Sequence, residues 1–364
     1  MQFELDEERA MLKSSTREFL EKESPLDEAR SVMEDSPEGY SKALYAQLGE
    51  LGYLSLLLSE EAGGMGPLAF ATVLSEMGRA AFPGPLLDLL LALKALEGCQ
   101  GDAAASLCDT ATRGESLVVL ARSETSGPAS PGSPESHGEE IATRLEKDRV
   151  IGTKVFVPFG AHADALLVET REGLALAHRP DAGWNATALP TLDHAQRFCE
   201  IALASPATLV ADPARTKAIL EEVDRLAALG ASAILLGLME RMLETTLAYT
   251  LEREAFGAPI ATFQVLQHRC ADMLMQTEST RSAVFRAAWA TECDPDQASY
   301  LTAVAKAWAG PAGRFVCGEA IQLHGGVGYT WEYDPHIYLK RVNTMQHFYG
   351  ATRGQLETAL QAKL

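Results

Sequence analysis

Two stretches decide how this chain is read: REAFGAPIATFQ, Arg253–Gln264, and AIQLHGGVGYTWE, Ala320–Glu332. The first is a helix exit that carries an arginine, a phenylalanine and a glycine, and a new helix opens behind it at Phe263 and Gln264. The second is an apolar helix stopped by a diglycine, since glycine takes the left-handed backbone that ends helices without a steric cost. Either block alone is a turn between helices. Working outward, apolar-periodic segments run from about 214 to 252, 263 to 291 and 296 to 323. The breaks are REAFGAP, then Asp294-Pro295 as an N-cap with a first-turn proline, then Gly325-Gly326. Helices this long pack along one another as a bundle.

Upstream, residues 1–113 also carry helical signals. Asp6, Glu7 and Glu8 place negative charge at a helix start. Ser36-Pro37 predicts a second start, with Tyr40, Leu44, Leu48 and Leu51 on one face and Gly52 closing it. The loop Ser59–Gly66 precedes a helix from Leu68 to Ala80, and Phe82-Pro83-Gly84-Pro85 breaks the chain before a last buried helix. From Glu115 the period changes. Short apolar runs at 117–120, 155–157, 165–168 and 174–176 predict strands, and the Ser/Pro/Gly-rich stretch 123–140 between the first two predicts an irregular loop. The expected fold is mainly α with a small β domain: an N-terminal helical domain over 1–113, a middle β-barrel or sandwich over 114–211, and a C-terminal four-helix bundle over 212–364.

Composition sets outer limits. Among 364 residues, 50 acidic against 31 basic side chains give a net charge of −19, which argues against sequence-independent binding to nucleic acid or anionic membranes. An anionic ligand therefore needs a local basic pocket. The acidic N-terminus lacks the basic start and apolar core of a secretory signal, and the greasiest run, Leu86–Leu96, is too short for a membrane span of about 20 residues. Six cysteines without a CxxC pair read as reduced thiols of a cytoplasmic protein, and eight histidines without ligand spacing predict no metal site.

The order helical domain, β domain, helical bundle, together with the two opening blocks, resembles the acyl-CoA dehydrogenase family nearly end to end. LGELGYLSLLLSEEAGGMG (48–66) looks like the family's N-terminal segment, and GTKVFVPFGAHADALLV (152–168) is similar to its middle-domain strand pair. The resemblance implies FAD as cofactor. Arg253, Phe256 and Gln264 would hold its diphosphate and adenosine part, with Gln322, Gly325 and Gly326 doing so from another subunit, so the chain is expected to be an oligomer. A guanidinium suits the diphosphate because it makes paired, charge-assisted hydrogen bonds. Other positions depart from the family pattern. Pro158-Phe159 replaces a small polar pair beside the flavin, leaving Phe156 and Val157 to core packing. The family's Thr-Glu-Pro and Gly-Ser-Asp loop is represented here by Ser123-Glu124-Thr125 as a remnant, without its proline and aspartate.

The largest departure is the base. Desaturating an acyl thioester removes an α-proton while a hydride leaves the β-carbon, and a carboxylate in an apolar pocket serves well as base. The resemblance places that glutamate at Tyr349, and the isovaleryl-type subgroup's glutamate at Ala227. Tyrosine, with an ordinary pKa near 10, is a poor base at neutral pH. Asp224 lies one turn before Ala227 and is either a substitute on the same face or a solvated surface charge. Glu332 is expected in a hydrogen-bonding role, and His324 and His347 in packing or hydrogen bonding. No residue is assigned as catalytic.

GGVGYTWEYDPHIYLKR resembles subunits of bacterial two-gene acyl-CoA dehydrogenases, heterotetramers that act on bulky CoA thioesters such as steroid side chains. The resemblance implies FAD-dependent α,β-dehydrogenation of an acyl-CoA by a base-lacking subunit, a homologous partner subunit, and electron-transfer flavoprotein as acceptor. Two other readings stay open: a scaffold that binds a partner and no flavin, and a flavin oxidase or monooxygenase on the same fold.

Overall fold

The computed structural model describes residues 6–124, 141–179 and 184–363, and helix dominates them. Helix α1 (Glu7–Glu23) starts as expected: Asp6 accepts from the Arg9 amide at 2.8 Å, and Glu7 and Glu8 fill the first turn. Helix α2 (Leu26–Asp35) follows, then α3 (Lys42–Glu50). The start of α3 corrects the sequence expectation. Ser36 Oγ accepts from the Gly39 amide at 3.1 Å in a turn where Gly39 has φ 73°. A left-handed residue cannot sit inside a right-handed helix, so the helix waits for Ser41, which caps the Leu44 amide at 3.3 Å and leaves Tyr40 outside. Gly52, at φ 78°, ends that segment as read from the sequence. Helices α4 (Gly66–Arg79), α5 (Leu86–Glu97) and α6 (Asp102–Thr112) complete this region.

Among the described residues eight strands come next: β1 (Val118–Ala121), β2 (Arg144–Glu146), β3 (Arg149–Pro158), β4 (Ala165–Thr170), β5 (Gly173–His178), β6 (Asn185–Leu189), β7 (Phe198–Pro206) and β8 (Thr208–Ala211). They form two four-stranded sheets, β1-β4-β5-β8 and β2-β3-β7-β6. Among these strands β1 and β4 pair in parallel and the other pairs are antiparallel. Strand β1 lies against β3 and β5 against β7, so the sheets make two layers with Val118, Val119, Leu166 and Leu167 fully buried between and beside them. The four apolar runs fall in β1, β3, β4 and β5. Strands β2, β6, β7 and β8 lack such runs because their buried and exposed residues are mixed along the strand.

The last part holds α7 (Pro213–Glu252), the short strands β9 (Glu254–Ala255) and β10 (Ala258–Pro259), then α8 (Gln264–Cys293), α9 (Pro295–His324), α10 (Pro335–His347) and α11 (Thr352–Gln361). Three long helices stand within two residues of their predicted bounds, and the tail adds two short ones against α9. Among the described residues, α7 is the helix long and apolar enough to cross a membrane, and 94% of its apolar window is buried, as in a core helix.

The chain divides into two compact units. One gathers Met1–Ala29, Ala71–Phe82 and Ala228–Leu364; the other gathers Arg30–Phe70 and Pro83–Ala227. In the first, α4 and α7 cross at paired glycines. A Cβ on Gly237 would run into the Ser75 carbonyl, and one on Gly78 would run into the Ile234 carbonyl. Backbone therefore touches backbone at the crossing, and Gly237→Ala is expected to destabilise the protein by about 1–3 kcal/mol through overpacking. Thermal unfolding would check this; an unchanged melting temperature would mean that the helices separate freely.

Candidate cofactor site and base positions

REAFGAP is built as a hairpin between helices. Ala255 pairs with Ala258 and Glu254 with Pro259, and the two residues between have φ 54° (Phe256) and 83° (Gly257). Two positive φ angles in a two-residue connection define the hairpin turn favoured by strand twist. Glycine accepts that geometry; phenylalanine takes it at a cost, and the residue is 99% exposed, with its ring edge-on to Phe263. Arg253 is exposed at the end of α7, and among the described residues no carboxylate pairs with it. Gln264 opens α8, so its amide is one of the unpaired N–H groups that make a helix N-terminus receptive to anions.

The second block ends α9. Gly325 has φ 64° and ψ −141°, a region open almost only to glycine, and its amide returns to the Gln322 carbonyl. Gly326 is different: its φ is ordinary and a Cβ there would meet nothing within 4 Å. Nothing among the described residues requires glycine at 326. Gln322, Gly325 and Gly326 are all exposed.

Aromatic stacking brings the two blocks together within one chain. Tyr249, one turn before Arg253, stacks on His324 with ring centres 4.4 Å apart, and its hydroxyl donates to the His324 carbonyl at 3.3 Å. Tyr333 closes the cluster edge-on to both rings. His324 thus packs as expected, with Nδ1 2.7 Å from the Ala320 carbonyl, and burial lowers its pKa. Three residues depart from expectation. Glu332 is exposed and makes no hydrogen bond among the described residues, and His347 is exposed at the end of α10. The third is Phe156. A bulge between Lys154 and Val157 gives Phe156 a φ of 52° and leaves its side chain 44% exposed, while Val157 stays in the core at 1%. An extra residue in one strand reverses the facing of the side chain beside it. Sequence periodicity could not show this.

No base position holds a free carboxylate. Ala227 is buried at 2% exposure. Asp224 is neither a free substitute nor a solvated charge: both its oxygens are held by Arg122, at 2.5 and 3.2 Å, while Arg122 Nε reaches Glu169 at 3.3 Å. Burial alone would lower the Arg122 pKa, and Asp224 with Glu169 reverses this and holds it above the usual range. Tyr349 is 6% exposed, in a turn where it has φ 58° and Gly350 has φ 100°. That turn is fixed by Lys306 on α9, 1% exposed, whose ammonium donates to the carbonyls of Met345, Gln346 and Gly350 at 3.0, 3.2 and 2.8 Å.

The loop remnant is also committed internally. Glu124 accepts from the Ala142 and Thr143 amides at 2.7 and 3.0 Å and from buried Lys154 at 2.7 Å, and the Ser123 carbonyl accepts from Val155. Thr125 and the rest of the 125–140 stretch lie outside the described residues. Residues 122–124 therefore serve the fold at the places where the resemblance expects contacts to flavin and acyl-CoA.

Residues 6–92 match the family model for the acyl-CoA dehydrogenase N-terminal domain, and residues 225–364 match the model for the C-terminal domain. The acyl-CoA dehydrogenase IpdE2 of Mycolicibacterium smegmatis is 31% identical over 97% of this chain and 97% of its own. A solved point variant of the Tcur3481-Tcur3483 steroid ACAD superposes with a TM-score of 0.84 at 27% identity, covering 98% of each chain. The ChsE4-ChsE5 complex of Mycobacterium tuberculosis gives the same score at 25% identity, covering 99% of this chain and 98% of that one. With both terminal domain models matched and an end-to-end relative above 30% identity, the chain belongs to the acyl-CoA dehydrogenase family, oxidoreductases that act on acyl-CoA.

Proposed function

We propose that this chain is the base-lacking subunit of a heteromeric, FAD-dependent acyl-CoA dehydrogenase that introduces an α,β double bond into a bulky CoA thioester of the steroid type. The carrying observation is the contrast between the two ends of the site. Neither base position holds a carboxylate, and Asp224 beside one of them is locked to Arg122. Arg253, Phe256, Gln264, Gln322, Gly325 and Gly326 all stand exposed at one end of the bundle. When bound, FAD supplies the hydride acceptor. The chain's own share is to bind and orient: Arg253 and the α8 N-terminus favour a diphosphate, and the bare backbone at Gly326 admits a close approach. Proton removal falls to a glutamate of a homologous partner subunit. Steroid ACAD and the ChsE4-ChsE5 complex among the similar structures support both the substrate class and the partner. Electron-transfer flavoprotein is the expected acceptor.

Purification alone and with a co-expressed homologue tests this reading. The expected result is a stable complex that carries FAD and dehydrogenates acyl-CoA, and an isolated chain that does not turn over. An isolated homomer with bound flavin and full activity would sink the proposal, and a colourless, inactive complex would favour a scaffold instead.

A further inference from the structure

His324 ends α9 and is only 3% exposed. Its Nδ1 lies 2.7 Å from the Ala320 carbonyl, which can only accept, so Nδ1 carries the ring proton and Nε2 keeps a bare lone pair. Nε2 is itself buried, and among the described residues nothing donates to it. The ring is boxed in. Tyr249 of α7 covers one face with 22° between the planes, and Tyr333 stands edge-on. The turn behind Gly325 folds onto the stem of the side chain: a Cβ on Gly328 would lie 3.1 Å from the His324 Cβ and 2.7 Å from the Ile321 carbonyl. The two phenols are the titratable groups against the ring, and among the described residues no lysine, arginine or carboxylate acts on it.

We infer that His324 is an acid-sensitive latch: a second ring proton, taken up on Nε2, breaks its stack and frees the turn Gly325–Tyr329. The new N–H would have no acceptor, and a full positive charge would sit where water is excluded. Two features favour a cation there, the last-turn carbonyls of α9 and the face of the Tyr249 ring. Neither receives the Nε2 proton. The Ala320 carbonyl is held by the other nitrogen, and a stacked phenol lies over the imidazole plane, whereas an Nε2–H points out of its edge. Burial outweighs the Ala320 hydrogen bond and holds the ring below its ordinary value of 6.5. The closed turn is therefore fully favoured above about 6.5 and loses ground as the pH falls below it, because the released ring takes up the proton more readily. Gly325 and Gly326 lie on that turn, so on the cofactor reading proposed above flavin is held at neutral pH and loosened in mild acid. The latch itself rests on the geometry around the ring, and the two can fail separately.

Amide hydrogen exchange of the full-length protein, in the assembly in which it purifies, provides the test, with rates corrected for the intrinsic effect of pH. Between about pH 7.5 and about pH 5, wild-type protection over Gly325–Tyr329 should fall about tenfold, while the buried α7 segment 231–239 keeps its own. His324→Phe keeps a ring in the stack and cannot titrate, so protection of its turn should change less than about twofold. An equal fall in both proteins, or none in wild type, overturns the latch. If the variant does not fold, the nitrogen-15 resonances of the wild-type ring decide. Nε2 should stay unprotonated down to about pH 6, and an imidazolium already formed at about 6.5 with the turn still protected overturns the inference. FAD retention in the same samples separates the cofactor reading. Release in acid from wild type but not from the variant supports both. Full retention by wild type with an open turn overturns the cofactor role of Gly325 and Gly326 and leaves the latch standing.

Discussion

Asp224→Ala is expected to lower stability by about 3–5 kcal/mol, because it leaves the Arg122 guanidinium buried beside a single remaining carboxylate. Arg122 and Asp224 side chains are only 12% and 14% exposed, so water screens the pair little. The pair joins the end of β1 to α7, and Glu169 at the end of β4 shares the same guanidinium. Removing Asp224 thus loosens a strand end and a helix at once. Urea unfolding would show a lower midpoint with the same slope. A loss below about 1 kcal/mol would place the pair with weak, screened surface bridges. The expected cost also bears on chemistry. A carboxylate that holds a buried guanidinium with both oxygens is unavailable to take a substrate proton, so Asp224 cannot stand in for the missing base.

Lys306→Met is expected to remove a pH dependence of stability worth roughly 3–5 kcal/mol between neutral and alkaline pH. Burial pushes the Lys306 ammonium down to about 7, and no counter-charge opposes it. Between about 7 and the ordinary lysine value near 10.5, the unfolded chain keeps a proton that the native chain has released. Raising the pH through that window therefore favours the native state, and lowering it back from about 10.5 withdraws that contribution, which is fully lost by about 7. Wild-type stability should climb from pH 7 to 10 by more than the variant's. If both proteins show the same slope, the ammonium stays charged throughout, held by its three carbonyl partners. The variant should also loosen the turn at Tyr349 and Gly350, which amide hydrogen exchange there would report.

The long helices are legible in the sequence because their signals are local. An apolar period, a proline after Asp294 and glycines at 325 and 326 mark the ends wherever the rest of the chain lies. The start of α3 is not, because two serines compete as caps, and the left-handed turn at Gly39 decides between them. The residues proposed for the adenosine side follow from motif alone, yet the hairpin at Phe256 does not, since phenylalanine carries no preference for a positive φ. Asp224 shows the limit most clearly. Its partner Arg122 is 102 residues away in sequence, and only the fold reveals that the carboxylate is consumed. The same holds for Lys306, an ordinary lysine in an apolar helix until the carbonyls around it are placed.

The stack of Tyr249 on His324 has a consequence for cofactor loading. It ties the helix end carrying Arg253 to the helix end carrying Gly325, so the two cannot shift independently. If each block serves a different FAD, one its own and one across the subunit boundary, occupancy at one is felt mechanically at the other. Such a chain would fill its assembly cooperatively, and by reciprocity loss of one cofactor would weaken the hold on the next. Flavin titration of the apo-complex would then be sigmoidal, and Tyr249→Ala would make it hyperbolic.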